Sequence, residues 1–170
     1  MTNDEIHGAV VRWIATITGV KTIKSHQGGD DPALPYVMVN FTADAEVRQH
    51  EQTVEYTDTG IPNGQGQNKI SAAPVIEAEW RFSVHSYGPA PTGILRPIVS
   101  AVKLAQVMEP LLPGLVIHEV SQIRNVPDWI NNKWEPRAQM DLIVRGLTRD
   151  GFVIDTIDES SFDIARAGQP

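Results

Sequence analysis

Glu77-Ala78-Glu79-Trp80-Arg81-Phe82-Ser83-Val84-His85-Ser86 alternates with a period of two. Ala78, Trp80, Phe82 and Val84 fall on one side, and Glu77, Glu79, Arg81, Ser83 and His85 on the other. That is the pattern of a strand with one face in a core. A side built from Trp, Phe and Val needs a layer to cover it, while the charged side is left to solvent or to an interface. The rest of the chain must supply the cover.

Downstream, Tyr87-Gly88-Pro89-Ala90-Pro91 breaks the strand. Leu95, Ile98, Val99, Val102, Ala105 and Val107 to Met108 then recur at helical spacing and predict a helix over residues 95–109. Pro97 belongs in its first turn, because deeper in a helix it costs about 3 kcal/mol. Pro110 and Pro113-Gly114 end it. Upstream, Thr2-Asn3-Asp4-Glu5 has the form of a capping box, with acids at the positive end of the helix dipole. Ile6, Val10, Trp13, Ile14 and Ile17 follow on a single face, and Gly19 is the natural stop.

Between these helices, residues 20–27 alternate weakly and suggest a short strand, followed by turn formers over residues 28–35. Tyr36-Val37-Met38-Val39-Asn40-Phe41 is apolar on both parities and predicts a strand covered on both faces or nearly so. Residues 43–75 form an extended polar insert, a hairpin or loop. Within it, residues 57–74, rich in Gly, Asn and Gln, are expected to be a long mobile loop. After the second helix come a strand at residues 115–121 and a loop at 125–136 carrying Trp129 and Trp134. Ala138, Met140, Leu142 and Val144 mark another amphipathic strand, and residues 152–157 a final element, with a frayed end at 165–170. The order lacks regular βαβ alternation. It predicts one α+β domain over residues 1–170, a mostly antiparallel sheet with two helices on one face.

Composition narrows the function. The chain has 170 residues, 14 Lys+Arg against 21 Asp+Glu, and a formal net charge of −7. That balance argues against a protein that coats nucleic acid, which needs clustered cations. No cysteine is present, which removes disulfides, thiolate metal sites and cysteine nucleophiles. The acidic start, Met-Thr-Asn-Asp-Glu, is not that of a signal peptide, and no stretch approaches the ~18 apolar residues of a membrane span.

Candidate chemistry is sparse. His26 with Asp30 and Asp31 suggests a metal or acid/base group; a polar loop explains the same residues. Glu77 and Glu79 lie about 6.5–7 Å apart on one strand face, a spacing seen in inverting glycosidases. As neighbours on one strand they cannot flank a substrate, and with Arg81 as counter-charge they read better as an interface. Ser83, His85 and Ser86 lack a nucleophile elbow. The glycines at 60, 64 and 66 lack the Lys-Ser/Thr of a phosphate loop. No enzymatic activity, cofactor or metal is expected. Trp129 and Trp134 either anchor a partner or fold back over the core. In the insert, Gly60, Asn63, Gln65 and Lys69 are the residues expected to reach a neighbour.

The sequence resembles the phage neck or tail terminator (tail-completion) family. The resemblance lies in the helix ending near Gly19, then Gln27, Pro32 and Pro35-Tyr36-Val37 entering a strand. It continues through the polar insert, the run Trp80-Arg81-Phe82-Ser83-Val84-His85-Ser86-Tyr87-Gly88 and the helix after it. Arg137-Ala138-Gln139-Met140-Asp141-Leu142 and a short Ile/Asp-rich tail complete it. The resemblance implies a structural virion protein, assembled in the host cytoplasm into a ring, commonly a hexamer. Its partners would be itself, the tail tube protein and the head connector, with DNA passing through the lumen without specific binding and no membrane involved. Two alternatives stand beside it. One is a head–tail connector adaptor of different symmetry; the other is a small ligand-binding or enzymatic domain with a pocket near His26, Asp30 and His85.

Overall fold

The computed structural model describes residues 1–154 apart from Asp30, Asp31, Gln65, Leu112 and Asn131. Residues 155–157 of the expected last element and the 165–170 tail lie outside the described residues. Chain order is α1 (Asn3–Thr18), β1 (Lys21–Lys24), β2 (Tyr36–Glu46), β3 (Thr53–Pro62) and β4 (Asn68–Tyr87). Then come α2 (Pro91–Ala101), α3 (Ala105–Met108), a 3-10 turn at Glu109–Leu111 and β5 (Leu115–Val120). β6 (Arg124–Asn125), β7 (Asp128–Ile130), β8 (Lys133–Glu135), β9 (Arg137–Arg149) and β10 (Phe152–Ile154) complete it.

The main sheet runs β1-β2-β4-β9-β5, with β3 and β10 paired to β4 and β6 to β9. β1 and β2 are parallel, and the other pairs are antiparallel. The fold is α+β, as expected. On the covered face, Phe82 and Val84 of β4 lie between Phe41 and Val39 of β2 and Leu142 and Met140 of β9, with Trp80 opposite Val144 of β9. Helices α1 and α2 close this face with Ile6, Val10, Trp13 and Ile14, and with Leu95 and Ile98. The α1 capping box forms in full: Thr2 N donates to Glu5 Oε2 at 2.7 Å, and Glu5 N to Thr2 Oγ1 at 3.3 Å. Trp80 Nε1 donates to Asn3 Oδ1 at 3.0 Å, which ties the central strand to the start of α1. On β2 the second parity, Tyr36, Met38 and Asn40, is half-buried, so the expectation of near-complete cover holds.

Two expectations need correction. The helix after β4 begins at Pro91, not near Leu95, and stops at Ala101 before the short α3. Pro91 takes the N-terminal position that favours proline. Pro97 therefore sits in mid-helix, where both it and Gly93, whose carbonyl loses an N–H partner, face solvent. Second, residues 57–74 are not a long loop. They form most of a hairpin in which β3 pairs with the first half of β4, Thr53 opposite Val75 through Asp58 opposite Ile70. Turn chemistry is confined to its tip, where Gln67 N donates to Asn63 Oδ1 at 3.0 Å. Gly60, at φ 67°, sits in a register shift between Asp58 and Pro62, the bulge position that glycine fills without strain.

One glycine marks a close approach. Gly146 of β9 lies between Ala78 and Leu115, and a Cβ there would meet Gly114 O at 2.5 Å and Trp80 Cζ3 at 3.2 Å. Gly146→Ala should therefore cost about 1–3 kcal/mol by overpacking. Urea unfolding checks it, and an unchanged midpoint would show that β5 moves aside freely.

Candidate assembly interface

The face of the sheet away from the helices carries a network of charge. Glu79, only 8% exposed, sits between two guanidinium groups. Arg145 donates to its Oε2 from Nη2 at 3.0 Å and from Nε at 3.2 Å, and Arg81 Nε to its Oε1 at 3.0 Å. Burial alone would raise the Glu79 pKa, but the hydrogen bonds from Arg145 and then Arg81 outweigh it and hold the carboxyl below its ordinary value. Glu77 is held loosely, accepting from Gln52 at 3.4 Å with Arg48 at 3.9 Å. Of the three residues expected at an interface, Glu79 is thus spent on internal pairing with Arg145 and Arg81, the Arg81 side chain stays more than half exposed beside it, and Glu77 is partly exposed. The face is not simply solvated, because long arginine and glutamine side chains cover its shorter groups.

Towards the other end of the face, Ser83 Oγ donates to Asp141 Oδ1 at 3.0 Å and accepts from Gln139 Nε2 at 2.8 Å. Arg137 bridges two elements. Its Nη1 donates to Asp128 Oδ2 at 2.7 Å, and its Nη2 lies 2.9 Å from His85 Nδ1. Arginine can only donate, so Nδ1 accepts and the neutral ring carries its proton on Nε2. Burial first and Arg137 second push the His85 pKa down to about 4.

Arg137 also pins the β7–β8 hairpin. Trp129 pairs with Trp134 across it, with ring centroids 5.0 Å apart and planes at 64°, an edge-on contact. Their exposures are 55% and 66%, so neither folds back over the core. Asn132, in the connection, takes a left-handed φ of 60°, which asparagine tolerates better than most residues. The second projection is the β3–β4 hairpin. Gly60, Asn63 and Lys69 lie around its tip; Gln65 is outside the described residues. Tyr56 and Ile61, exposed at 65% and 55%, are the large apolar groups on it. The sequence singles out neither as a contact residue, because the few apolar side chains of the insert are scattered among Asp, Glu, Gln and Gly.

The other candidate groups fall only partly within the described residues. Asp30 and Asp31 lie outside the described residues, and His85 is taken up by Arg137. Ser86 is on the core side, donating to Pro91 O at 2.8 Å, whereas Ser83 and His85 are on the opposite face. Among the described residues no three His, Asp or Glu side chains are grouped to hold a metal ion.

Over residues 4–167 the sequence matches the family described as phage neck terminator protein. The chain belongs to that family. This neck terminator is, by its family, a structural protein of the phage tail neck. Its fold is similar to the sheath/tube terminator of an extracellular contractile injection system, PVC, solved in the extended state. The TM-score is 0.57 at 9% identity, over 99% of this chain and 65% of that one. The neck terminator thus spans about two thirds of that structure's length, and the likeness is one of fold. A second solved chain, 13% identical, aligns over 93% of this chain and 99% of its own at a TM-score of 0.35, too low to carry an argument. No curated protein matches the sequence.

Proposed function

We propose that this neck terminator assembles into a closed ring, expected to contain six copies, that caps the tail tube and joins it to the head connector. The observation that carries the reading is the β3–β4 hairpin. A 10-residue strand with polar and exposed side chains is built onto the central 20-residue strand of the core, so it projects from the body at a fixed place. An arm so anchored has the means to reach a neighbouring copy or the tube. Ring formation needs a head-to-tail contact whose rotation closes. The surface charges Glu77 and Arg81 suit such a contact, since rim charges set register and partner choice more than affinity. The net charge of −7 fits a lumen that repels phosphate and lets DNA pass without being gripped. The association with tail tube and connector would place the protein in the virion after assembly in the host.

Replacing residues 60–68 by a short turn tests this. The truncated chain should melt within a few degrees of the parent, because the tip lies far from the buried cluster, yet it should fail to cap tubes. Normal infectious particles from this variant would sink the proposal. Light scattering of the parent protein with purified tubes, followed by negative-stain imaging, reads the ring number. A different symmetry would move the protein to the connector side.

A further inference from the structure

We infer that Asn63–Gly64, at the tip of the β3–β4 hairpin, is a self-modifying site at which the Asn63 side-chain amide is lost as ammonia. The chemistry stands without the ring reading; only its bearing on assembly rests on that reading.

The sequence holds this one Asn-Gly pair. Nucleophile and electrophile are neighbours along the chain, so they meet without the entropy cost of a second molecule. The Gly64 backbone nitrogen attacks Asn63 Cγ. The N–Cγ bond forms, the Cγ–Nδ2 bond breaks, and the proton of the Gly64 amide leaves with Nδ2 as ammonia. Water then opens the cyclic imide. Opening at Cγ leaves aspartate at position 63. Opening at the main-chain carbonyl leaves isoaspartate, whose backbone runs through Cβ and Cγ.

Three features of the tip favour the reaction. The last paired residues of the hairpin are Pro62 and Asn68, so the Asn63–Gly64 peptide lies beyond the ladder and is not held by it. Asn63 N donates to Gln67 O and Gly66 N to Asn63 O, whereas the Gly64 N–H makes no hydrogen bond among the described residues. The nucleophile therefore gives up no partner when it loses its proton. Lastly, Gln67 N donates to Asn63 Oδ1 at 3.0 Å. That is the oxygen on which negative charge develops as Cγ is attacked, so a donor is already aimed at it.

No other asparagine combines these features. Each is followed by a residue with a side chain, which crowds the attacking nitrogen. Asn3, Asn40, Asn68 and Asn125 also lie within α1, β2, β4 and β6, where the backbone is fixed. Asp150–Gly151 has a similar backbone, but a carboxylate is a poor electrophile. Space is also closed there, since a Cβ at position 151 would meet Ser71 Oγ at 2.7 Å. A Cβ at position 64 would meet nothing within 4 Å.

The product adds a negative charge to a chain already at −7, and the isoaspartate form displaces the acceptor of the Gln67 N–H. Both changes fall on the tip proposed to reach a neighbour or the tube. A subunit left unassembled thus loses its grip with age, while one in the particle has its tip covered.

Mass spectrometry of proteolytic fragments reads the site directly. Protein stored in mildly alkaline buffer should lose the Asn63 amide ahead of every other asparagine, with isoaspartate among the products. Gly64→Ala, which the open space accommodates, should melt like the parent and slow the loss at least ~10-fold, about 1.4 kcal/mol of barrier. Intact Asn63 after storage that converts a free peptide of the same residues would overturn the inference. Equal loss at Asn68, or undiminished loss in Gly64→Ala, would also overturn it. Stored parent protein should cap purified tail tubes less well than fresh protein, and stored Gly64→Ala protein should not decline. Amide loss with undiminished capping would overturn the contact assigned to the tip and leave the modification site standing.

Discussion

Replacing Trp80 with alanine should remove about 3–5 kcal/mol of stability, the cost of deleting a large aromatic from a packed core. Trp80 is 2% exposed at the centre of the covered face and pairs across β9 with Val144. Its ring edge closes over the space that Gly146 leaves open, and its indole N–H holds Asn3 at the start of α1. The alanine variant therefore loses burial, leaves a cavity and breaks the tie to Asn3 together. Domains of this size are stable by about 5–15 kcal/mol, so a large part of the margin goes. Trp80→Phe should lose less, since it keeps most of the apolar volume and gives up the hydrogen bond. Urea unfolding of the three proteins checks the order; an alanine variant as stable as the parent would show that α1 does not depend on this strand.

Acid should loosen the fold well before its carboxylates titrate. His85 is held neutral in the folded protein, with its pKa lowered from 6.5 to about 4. An unfolded chain binds a proton in that window that the folded chain refuses, so stability rises with pH there. The contribution is fully present above about 6.5 and is lost as pH falls towards 4, a swing on the order of 3 kcal/mol. His7 adds a change of the same sign, because burial lowers its pKa while its Nε2 lies 2.9 Å from Val39 O. Glu79 acts lower still: its depressed pKa gives stability that is present above the ordinary carboxylate range and lost as pH drops through the folded value. His85→Gln, which keeps a polar group under Arg137, should flatten the slope between pH 6.5 and 4. An unaltered slope in that variant would assign the effect to His7, and His7→Gln would then remove it.

The elements legible in the sequence are those whose signals are local. The alternation of Trp80, Phe82 and Val84, its echo in Met140, Leu142 and Val144, and the Thr2–Glu5 capping box each lie within one segment. All three form as expected. The arm at residues 57–74 was less legible because its strand character comes from a partner. Thr53, Thr57 and Thr59 favour extended backbone, but no buried face exists to stamp an apolar period on them. The start of α2 was hidden in the same way, since Pro91-Thr92-Gly93 carries no apolar repeat and only the proline hints at a first turn. On the charged face, Glu79 reads as a surface acid until Arg145, 66 residues away, is brought beside it. The sequence leaves the tryptophans open between anchor and cap, and only the pairing of Trp129 with Trp134 in an exposed ribbon removes the cap.

β4 belongs to both the body and the arm, running without interruption from Asn68 to Tyr87. At about 3.3 Å per residue it is roughly 66 Å long. Within the body it is bonded on both sides, by β2 and β9 over residues 78–87. A pull on the hairpin tip along this strand is therefore borne as shear by many hydrogen bonds at once, not peeled off one pair at a time. The arm has no joint at its root, so displacement of its tip moves the strand against which both helices are packed. A particle that carries its tail through adsorption and DNA ejection would find in this single strand a tie rod, passing load from whatever grips the tip straight into the core.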